Sequence, residues 1–151
     1  MKATVNRDAL AKFLNVEKLP RSQRIATVGR FVADKMMEKY SITAYDINNG
    51  YCFIWAYLVW AIVQDESISF QSNYNHVVVS YKGKFYDSDH ITGSKLLTKM
   101  EFFSSNSGDT MDVEQMCRYW SRHGYRAAEL KKAMRLSAIS LYRKALRVEI
   151  S

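Results

Sequence analysis

The chain contains one long apolar run, residues 51–63, that any fold of this sequence must bury. The run contains no Gly, Pro, Asn or Asp, and its apolar side chains cover every side of a helix rather than one stripe. At 13 residues it is too short to cross a bilayer, which takes about 20. We therefore expect a buried central helix over 51–64, with the rest of the chain packed around it.

Helices are predicted on both sides of this central helix. Apolar residues recur every three to four positions from Pro20 to Tyr40, and Pro20 and Ser22 mark the start of that helix. A shorter helix is predicted to start at Asn6 or Asp8. After the central helix, further helices are predicted at 94–103, from Thr110 or Asp112 to His123, and at 126–147. Turns are expected at 41–50, and a flexible loop at 104–109.

Between the central helix and residue 94, the sequence predicts short β-strands. A valine-rich segment at 76–81 and the segment 84–87 flank Lys82-Gly83, which is a two-residue hairpin signal. A further strand at 67–71 is predicted to lie at the edge of the sheet. The expected fold class is α+β, with helices packed around a small antiparallel sheet.

Composition and charge narrow the range of roles. The 151 residues, 48% of them apolar and without a low-complexity linker, predict a single domain over 1–151. Two cysteines do not make a disulfide framework, and the N-terminal residues lack the apolar core of a signal peptide. We therefore expect a cytoplasmic protein that does not associate with membranes. The net charge of +7 is densest over 118–147, which leaves nucleic acid or an acidic protein as an alternative partner.

Cys52 begins the central helix, directly after Asn49-Gly50-Tyr51. A thiol at a helix N-terminus lies where the helix dipole favours the thiolate. His76 follows on a predicted strand, and Asp87 ends the next one. A thiol, an imidazole and a carboxylate in this order predict a nucleophile, a general base and the residue that orients the base.

The predicted hairpin allows a choice between two acids. With a two-residue turn at Lys82-Gly83, paired residue numbers sum to 165, so His76 lies opposite Asp89 and Val78 opposite Asp87. Because side chains alternate along a strand, His76, Asp87 and Asp89 then share one face, whereas His90 points to the other. Direct opposition favours Asp89, and Asp87 is reached along the diagonal.

Four further residues are candidates for the oxyanion site or the cleft: Asn48, Asn49, Tyr51 and Asn75. The backbone N–H of Cys52 is an alternative oxyanion donor. No pair of Cys or His residues has the spacing of a metal site, and a triad of this kind needs neither a metal nor an organic cofactor. The sequence thus predicts no cofactor.

The stretches 50–56, 75–79 and 83–87 resemble the papain-like superfold in its broad sense, above all its transglutaminase-like and NlpC/P60-like families. The resemblance covers roughly residues 48–93. It implies a papain-like core with Cys52 as nucleophile, His76 as general base and Asp87 as the orienting acid, because an aromatic residue just before the acid is typical of the family. We take Asp87 as the acid and keep Asp89 as the alternative. Small chains of this kind are often bacterial or from phages.

The chain departs from papain itself, because only 24 residues separate Cys52 from His76 and the signature around the papain cysteine is absent. The Trp and Asp-Pro that usually accompany a transglutaminase acid are also missing. The resemblance implies a thiol hydrolase or acyltransferase acting on an amide, isopeptide or thioester bond of a peptide or protein substrate. The alternative is a non-catalytic papain-like module that binds nucleic acid or an acidic protein through its basic C-terminal helices.

Overall fold

The computed structural model describes residues 11–12, 14–73, 76–100, 103 and 108–123. Within these ranges, the helices in chain order are α1 (Arg21–Tyr40), α2 (Ala44–Asp46), α3 (Cys52–Val63) and α4 (Val113–His123), with 3₁₀ turns at Val16–Lys18 and Leu97–Lys99. The strands are β1 (Ser69–Ser72), β2 (Val77–Tyr81), β3 (Lys84–Tyr86) and β4 (Asp109–Met111). The predicted α+β class is confirmed.

The helices predicted over 20–40 and 51–64 are present almost residue for residue. Helix α1 follows Pro20, and its apolar stripe is fully buried at Ile25, Val28, Val32 and Met36. Helix α3 is apolar all round, and ten of its twelve residues are buried. The predicted helix over 126–147 lies outside the described residues, as does nearly all of the one expected to start at Asn6 or Asp8.

Helices α1 and α3 pack closely where a glycine faces a tryptophan. Trp55 Nε1 donates a hydrogen bond to the carbonyl of Gly29 at 3.1 Å. A Cβ at residue 29 would lie only 2.7 Å from Trp55 Cζ2, so this approach requires glycine. The contact fixes α3, and with it Cys52, against the long helix.

The four strands form one antiparallel sheet in the order β3-β2-β1-β4. The predicted hairpin register is confirmed, since Tyr81 pairs with Lys84, Ser80 with Phe85 and Val79 with Tyr86. Lys82 and Gly83 both have positive φ, 49° and 80°, as a type I′ turn requires. The strand predicted at 67–71 is present as β1, but its predicted position at the edge of the sheet is wrong, because β4 pairs with the other side of β1.

Two other sequence predictions differ from the structure. A helix over 94–103 is wrong: Ser94 forms a β-bridge with Phe85, and only the 3₁₀ turn Leu97–Lys99 is helical among the residues described there. The predicted loop at 104–109 ends in strand β4, and its residues 104–107 lie outside the described ranges. Helix α4 begins as predicted at Asp112, whose Oδ1 accepts from Gln115 N while Gln115 Oε1 accepts from Asp112 N.

The core lies between the sheet and helices α1 and α3. Strand β2 is buried on both faces. Val77 and Val79 belong to the main core, whereas Val78 belongs to a smaller cluster with Leu97, Met100 and Phe103. Because both faces are covered, the start of β2 is buried, and His76 lies directly before it.

Candidate active site

The segment before Cys52 is helical rather than the simple turn predicted for 41–50. Thr43 and Asp46 form a reciprocal capping box that begins α2. A π-helical turn, Ile47–Tyr51, follows and is broken by non-helical dihedral angles at Asn49 and Gly50. Gly50 has φ 143°, a backbone conformation that residues other than glycine rarely adopt. The kink lets α3 begin afresh at Cys52.

Cys52 is the first residue of α3 and is 3% exposed. The structure thus has the thiol where the sequence predicts it, at the positive end of the helix dipole. The position is set by the kink at Gly50 and by the packing of Trp55 on α1, described above. No disulfide involves this cysteine, which is free.

His76 lies directly before β2, and its ring is fully buried. Two hydrogen bonds hold its backbone to Asn73: His76 N donates to Asn73 Oδ1 at 2.9 Å, and the His76 carbonyl accepts from Asn73 N at 3.0 Å. The ring nitrogen Nε2 contacts Asp87 Oδ2 at 3.0 Å. The structure therefore brings the predicted base and the predicted acid together.

Asp87 follows β3 directly and is 1% exposed. Burial by itself disfavours the carboxylate, but hydrogen bonds and charge from His76 and then from His90 lower the pKa of Asp87 below its usual value. An ionised carboxylate only accepts hydrogen bonds, so the proton between the two groups is on His76 Nε2. That assignment leaves Nδ1 as the ring nitrogen that exchanges a proton with a thiol.

The pKa of His76 depends on its burial and on two neighbouring side chains, those of Asp87 and Cys52. Burial disfavours its charged form, yet hydrogen bonds with Asp87 and Cys52, together with the charges of both, raise the pKa of His76 from 6.5 to about 9. The imidazole is therefore protonated at neutral pH. A charged ring between a thiol and a carboxylate is the arrangement that activates a cysteine for nucleophilic attack.

The alternative acid, Asp89, has a different place. It is exposed, and its Oδ2 accepts a hydrogen bond from Asn48 Nδ2 at 2.8 Å. The hairpin pairing that placed Asp89 opposite His76 holds only along the strand, and β3 ends at Tyr86. Beyond that residue the chain turns, which brings Asp87 rather than Asp89 into hydrogen-bond distance of His76 Nε2.

Asn48, predicted as an oxyanion or cleft residue, is buried and links the two halves of the site. Its Oδ1 accepts from Ser88 Oγ at 3.0 Å, while its Nδ2 binds Asp89. Ser88 Oγ also lies 3.1 Å from the carbonyl of Ala44. These contacts join the segment that leads into Cys52 to the segment that carries Asp87.

Two of the other predicted cleft residues, Asn49 and Tyr51, lie in the segment that leads into Cys52. Asn49 is exposed, and its Nδ2 donates to the carbonyl of Tyr45 at 2.8 Å. Tyr51, half-buried, packs against the core one residue before Cys52. Asn75 lies outside the described residues.

His90 is a contact that the strand-alternation argument missed. That argument assigned it to the opposite face, whereas its Nδ1 lies 3.1 Å from Asp87 Oδ1. The signal in the sequence was the spacing Asp87-x-x-His90, since an Asp side chain commonly caps a tight turn two to three residues on. Here Asp87 Oδ1 accepts from Asp89 N at 3.0 Å and from His90 N at 2.8 Å.

The site is closed to solvent on the side of the imidazole. The ring of Phe103 lies 6.1 Å from that of His76, centroid to centroid, and Phe103 is itself 2% exposed. A cavity of about 380 Å³ is lined by residues 11–12, residues 15–18 and Gln64, and Cys52, His76 and Asp87 are not among its lining residues.

The described part of the chain holds no cluster of three or more His, Cys, Asp or Glu side chains suited to a metal ion. None of its helices is long and apolar enough to cross a membrane. The basic C-terminal stretch beyond residue 123, predicted as an alternative binding surface, lies outside the described residues. Comparisons with protein-family models, with curated proteins and with solved structures returned no match.

Proposed function

We propose that this chain is a cysteine-nucleophile hydrolase or acyltransferase with a papain-like core, in which Cys52, His76 and Asp87 form the catalytic triad. One observation carries the proposal: a fully buried imidazole has a carboxylate 3.0 Å from Nε2, and this carboxylate together with Cys52 raises the pKa of the imidazole to about 9. Perturbed ionisable groups that converge in this way are typical of functional sites.

The chemistry that follows is acyl transfer. The Cys52 thiolate attacks the carbonyl carbon of an amide, isopeptide or thioester, and the S–C bond forms as the bond to the leaving group breaks. Charged His76 gives its Nδ1 proton to the leaving group. Water or an amine then attacks the thioester, returns a proton to Nδ1 and releases the acyl group. Asp87 keeps Nε2 protonated and the ring oriented throughout.

The direct test is alkylation of Cys52 and Cys117 by iodoacetamide from pH 5 to pH 9, followed for each cysteine by mass spectrometry. Cys52 is 3% exposed, so restricted access lowers its rate by the same factor at every pH. The shape of the pH profile, rather than the absolute rate, therefore reports ionisation. We expect Cys52 to react as readily at pH 6 as at pH 8, and His76→Ala to remove the reaction at pH 6.

A rate for Cys52 that rises about tenfold per pH unit towards an ordinary thiol value near 8.5 would contradict the proposal. If the profile supports it, peptide, isopeptide and thioester substrates follow, and Cys52→Ala should abolish turnover without loss of the fold. Steeply salt-dependent binding of DNA or RNA that Cys52→Ala leaves unchanged would favour the alternative of a binding module.

A further inference from the structure

Asp87 lies between two imidazoles that differ in their exposure to solvent. Its Oδ2 contacts Nε2 of His76, whose side chain is 0% exposed, and its Oδ1 contacts Nδ1 of His90, whose side chain is 35% exposed. The two distances are alike, 3.0 and 3.1 Å. Only the inner imidazole has a part in the acyl transfer proposed above.

The proton on the outer ring can be assigned from the carboxylate. Asp87 is ionised and offers only lone pairs, so each imidazole nitrogen that faces it must carry a hydrogen. His90 is therefore protonated at Nδ1, whether or not its other nitrogen also carries a proton. Both imidazoles donate to the same carboxylate.

The donors are divided unequally between the two oxygens. Oδ1 accepts from Asp89 N at 3.0 Å, from His90 N at 2.8 Å and from His90 Nδ1 at 3.1 Å. Oδ2 is left to His76. The two backbone donors fix Oδ1 within the turn, and the ring of His90 holds it from the solvent side, so rotation of the carboxylate about its Cβ–Cγ bond is opposed.

We propose that His90 is a positioning residue of the candidate triad, and that its Nδ1–H holds Asp87 so that Oδ2 stays against His76 Nε2. The inference rests on the function proposed above. His90 acts through Asp87, touches no reacting atom, and matters as a hydrogen-bond donor rather than as a charge.

A purely electrostatic role would have the opposite signature. If His90 acted mainly as a positive charge that competes for Asp87, its removal would strengthen the hold of Asp87 on His76 and raise the pKa of His76 further. If His90 positions the carboxylate, its removal loosens the Asp87–His76 hydrogen bond and lowers that pKa. The sign of the change therefore separates the two roles.

The experiment compares His90→Ala with His90→Asn. Asparagine carries an amide N–H donor two bonds from Cβ, as Nδ1 is in histidine, but no charge. Imidazole NMR titrations on ¹⁵N-histidine-labelled protein give the pKa and the tautomer of each ring, and single substitutions assign the signals of the three histidines. Circular dichroism and thermal unfolding verify that each variant is folded, and Lys99→Ala, an exposed change, serves as the control.

We expect His90→Ala to lower the pKa of His76 by about one unit, as the loss of one charge-assisted hydrogen bond implies. His90→Asn should leave that pKa within about 0.3 units of the wild-type value, which is well below the effect of losing that bond. The wild-type spectrum should show a proton on Nδ1 of His90.

Three results would overturn the inference: an unchanged or raised pKa of His76 in His90→Ala, equal effects of Ala and Asn, or an unprotonated Nδ1 on His90. These are distinct from failure of the proposed function, which would appear as an ordinary thiol profile for Cys52 in the wild-type protein. The NMR result decides the role of His90 even then, because it does not depend on turnover.

Discussion

Replacing Asp87 by Asn is the sharpest test of the site, because it removes one charge and keeps the shape of the side chain. Three N–H donors, from the backbone of residues 89 and 90 and from the His90 ring, converge on the Oδ1 position. They will hold the amide oxygen of the substituted side chain there. Its NH₂ group must then face His76 Nε2.

That reversal has a definite consequence for His76. Nε2 can accept a hydrogen bond from NH₂ only when it carries no proton, so the ring becomes neutral with its proton on Nδ1. The raised pKa of about 9, against 6.5 for an ordinary histidine, corresponds to about 3 kcal/mol of preferential stabilisation of the charged ring. Burial is the largest single influence on this ring and disfavours its charge. We therefore expect the pKa of His76 in Asp87→Asn to fall to 6.5 or below.

The assay is the NMR titration of His76, with Asp89→Asn as the matched control. At pH 7 the ring should change from about 100:1 charged in the wild type to mostly neutral in Asp87→Asn. In Asp89→Asn the amide oxygen still accepts from Asn48 Nδ2, and neither Asp89 nor Asn48 is among the groups that raise the pKa of His76. A pKa that stays near 9 in Asp87→Asn, or that falls equally in both variants, would refute the reasoning.

Two further predictions follow from the same contacts. The pKa of His76 is higher in the folded protein than in the unfolded chain, so its stabilising contribution is complete below pH 6.5 and is lost as pH rises through about 9. Chemical denaturation should therefore show that the unfolding free energy of the wild type falls by up to about 3 kcal/mol over that range. The unfolding free energy of Asp87→Asn should fall much less. An unfolding free energy that falls more steeply with pH in Asp87→Asn than in the wild type would contradict the expected direction of this pH dependence. Asn48→Ala removes a hydrogen-bond partner from both Ser88 and Asp89 and should cost about 2 kcal/mol of unfolding free energy, whereas Asn49→Ala, exposed and with one bond to the Tyr45 carbonyl, should cost less than about 1 kcal/mol. Equal costs would show that Asn48 does not join the two halves of the site.

Much of the framework could be predicted from sequence because its signals are local. The all-round apolar run gives α3, the three-to-four-residue spacing gives α1, and Lys82-Gly83 sets the hairpin register. The position of Cys52 at the start of α3 follows from the glycine two residues before it. Each of these depends on neighbours within one or two turns of chain.

The errors lie where longer-range contacts decide the structure. Strand β4 has three residues in a polar stretch, too few to show alternation, and it is a strand because it pairs with β1. The segment 94–103 has helical spacing, but the bridge between Ser94 and Phe85 keeps its start extended.

The geometric argument that favoured Asp89 as the acid was wrong for a related reason. Strand alternation was extended past Tyr86, where the chain leaves the sheet, so it favoured Asp89 and sent His90 to the wrong side. The aromatic residue before the acid, taken from the family resemblance, pointed instead to Asp87, the residue that contacts His76 in the structure.

The pairing of β4 with β1 also bears on the order in which the chain folds. Gln71 pairs with Thr110, which lies 39 residues further along, whereas the β2–β3 hairpin closes through two residues. Closing the longer loop costs more entropy, so we expect β4 to join the sheet late. Until it does, β1 is an open edge that carries Phe70, and another chain can pair with it. We therefore expect strand β4 to protect the folding chain from aggregation, even though all three residues of the candidate triad precede it in the sequence.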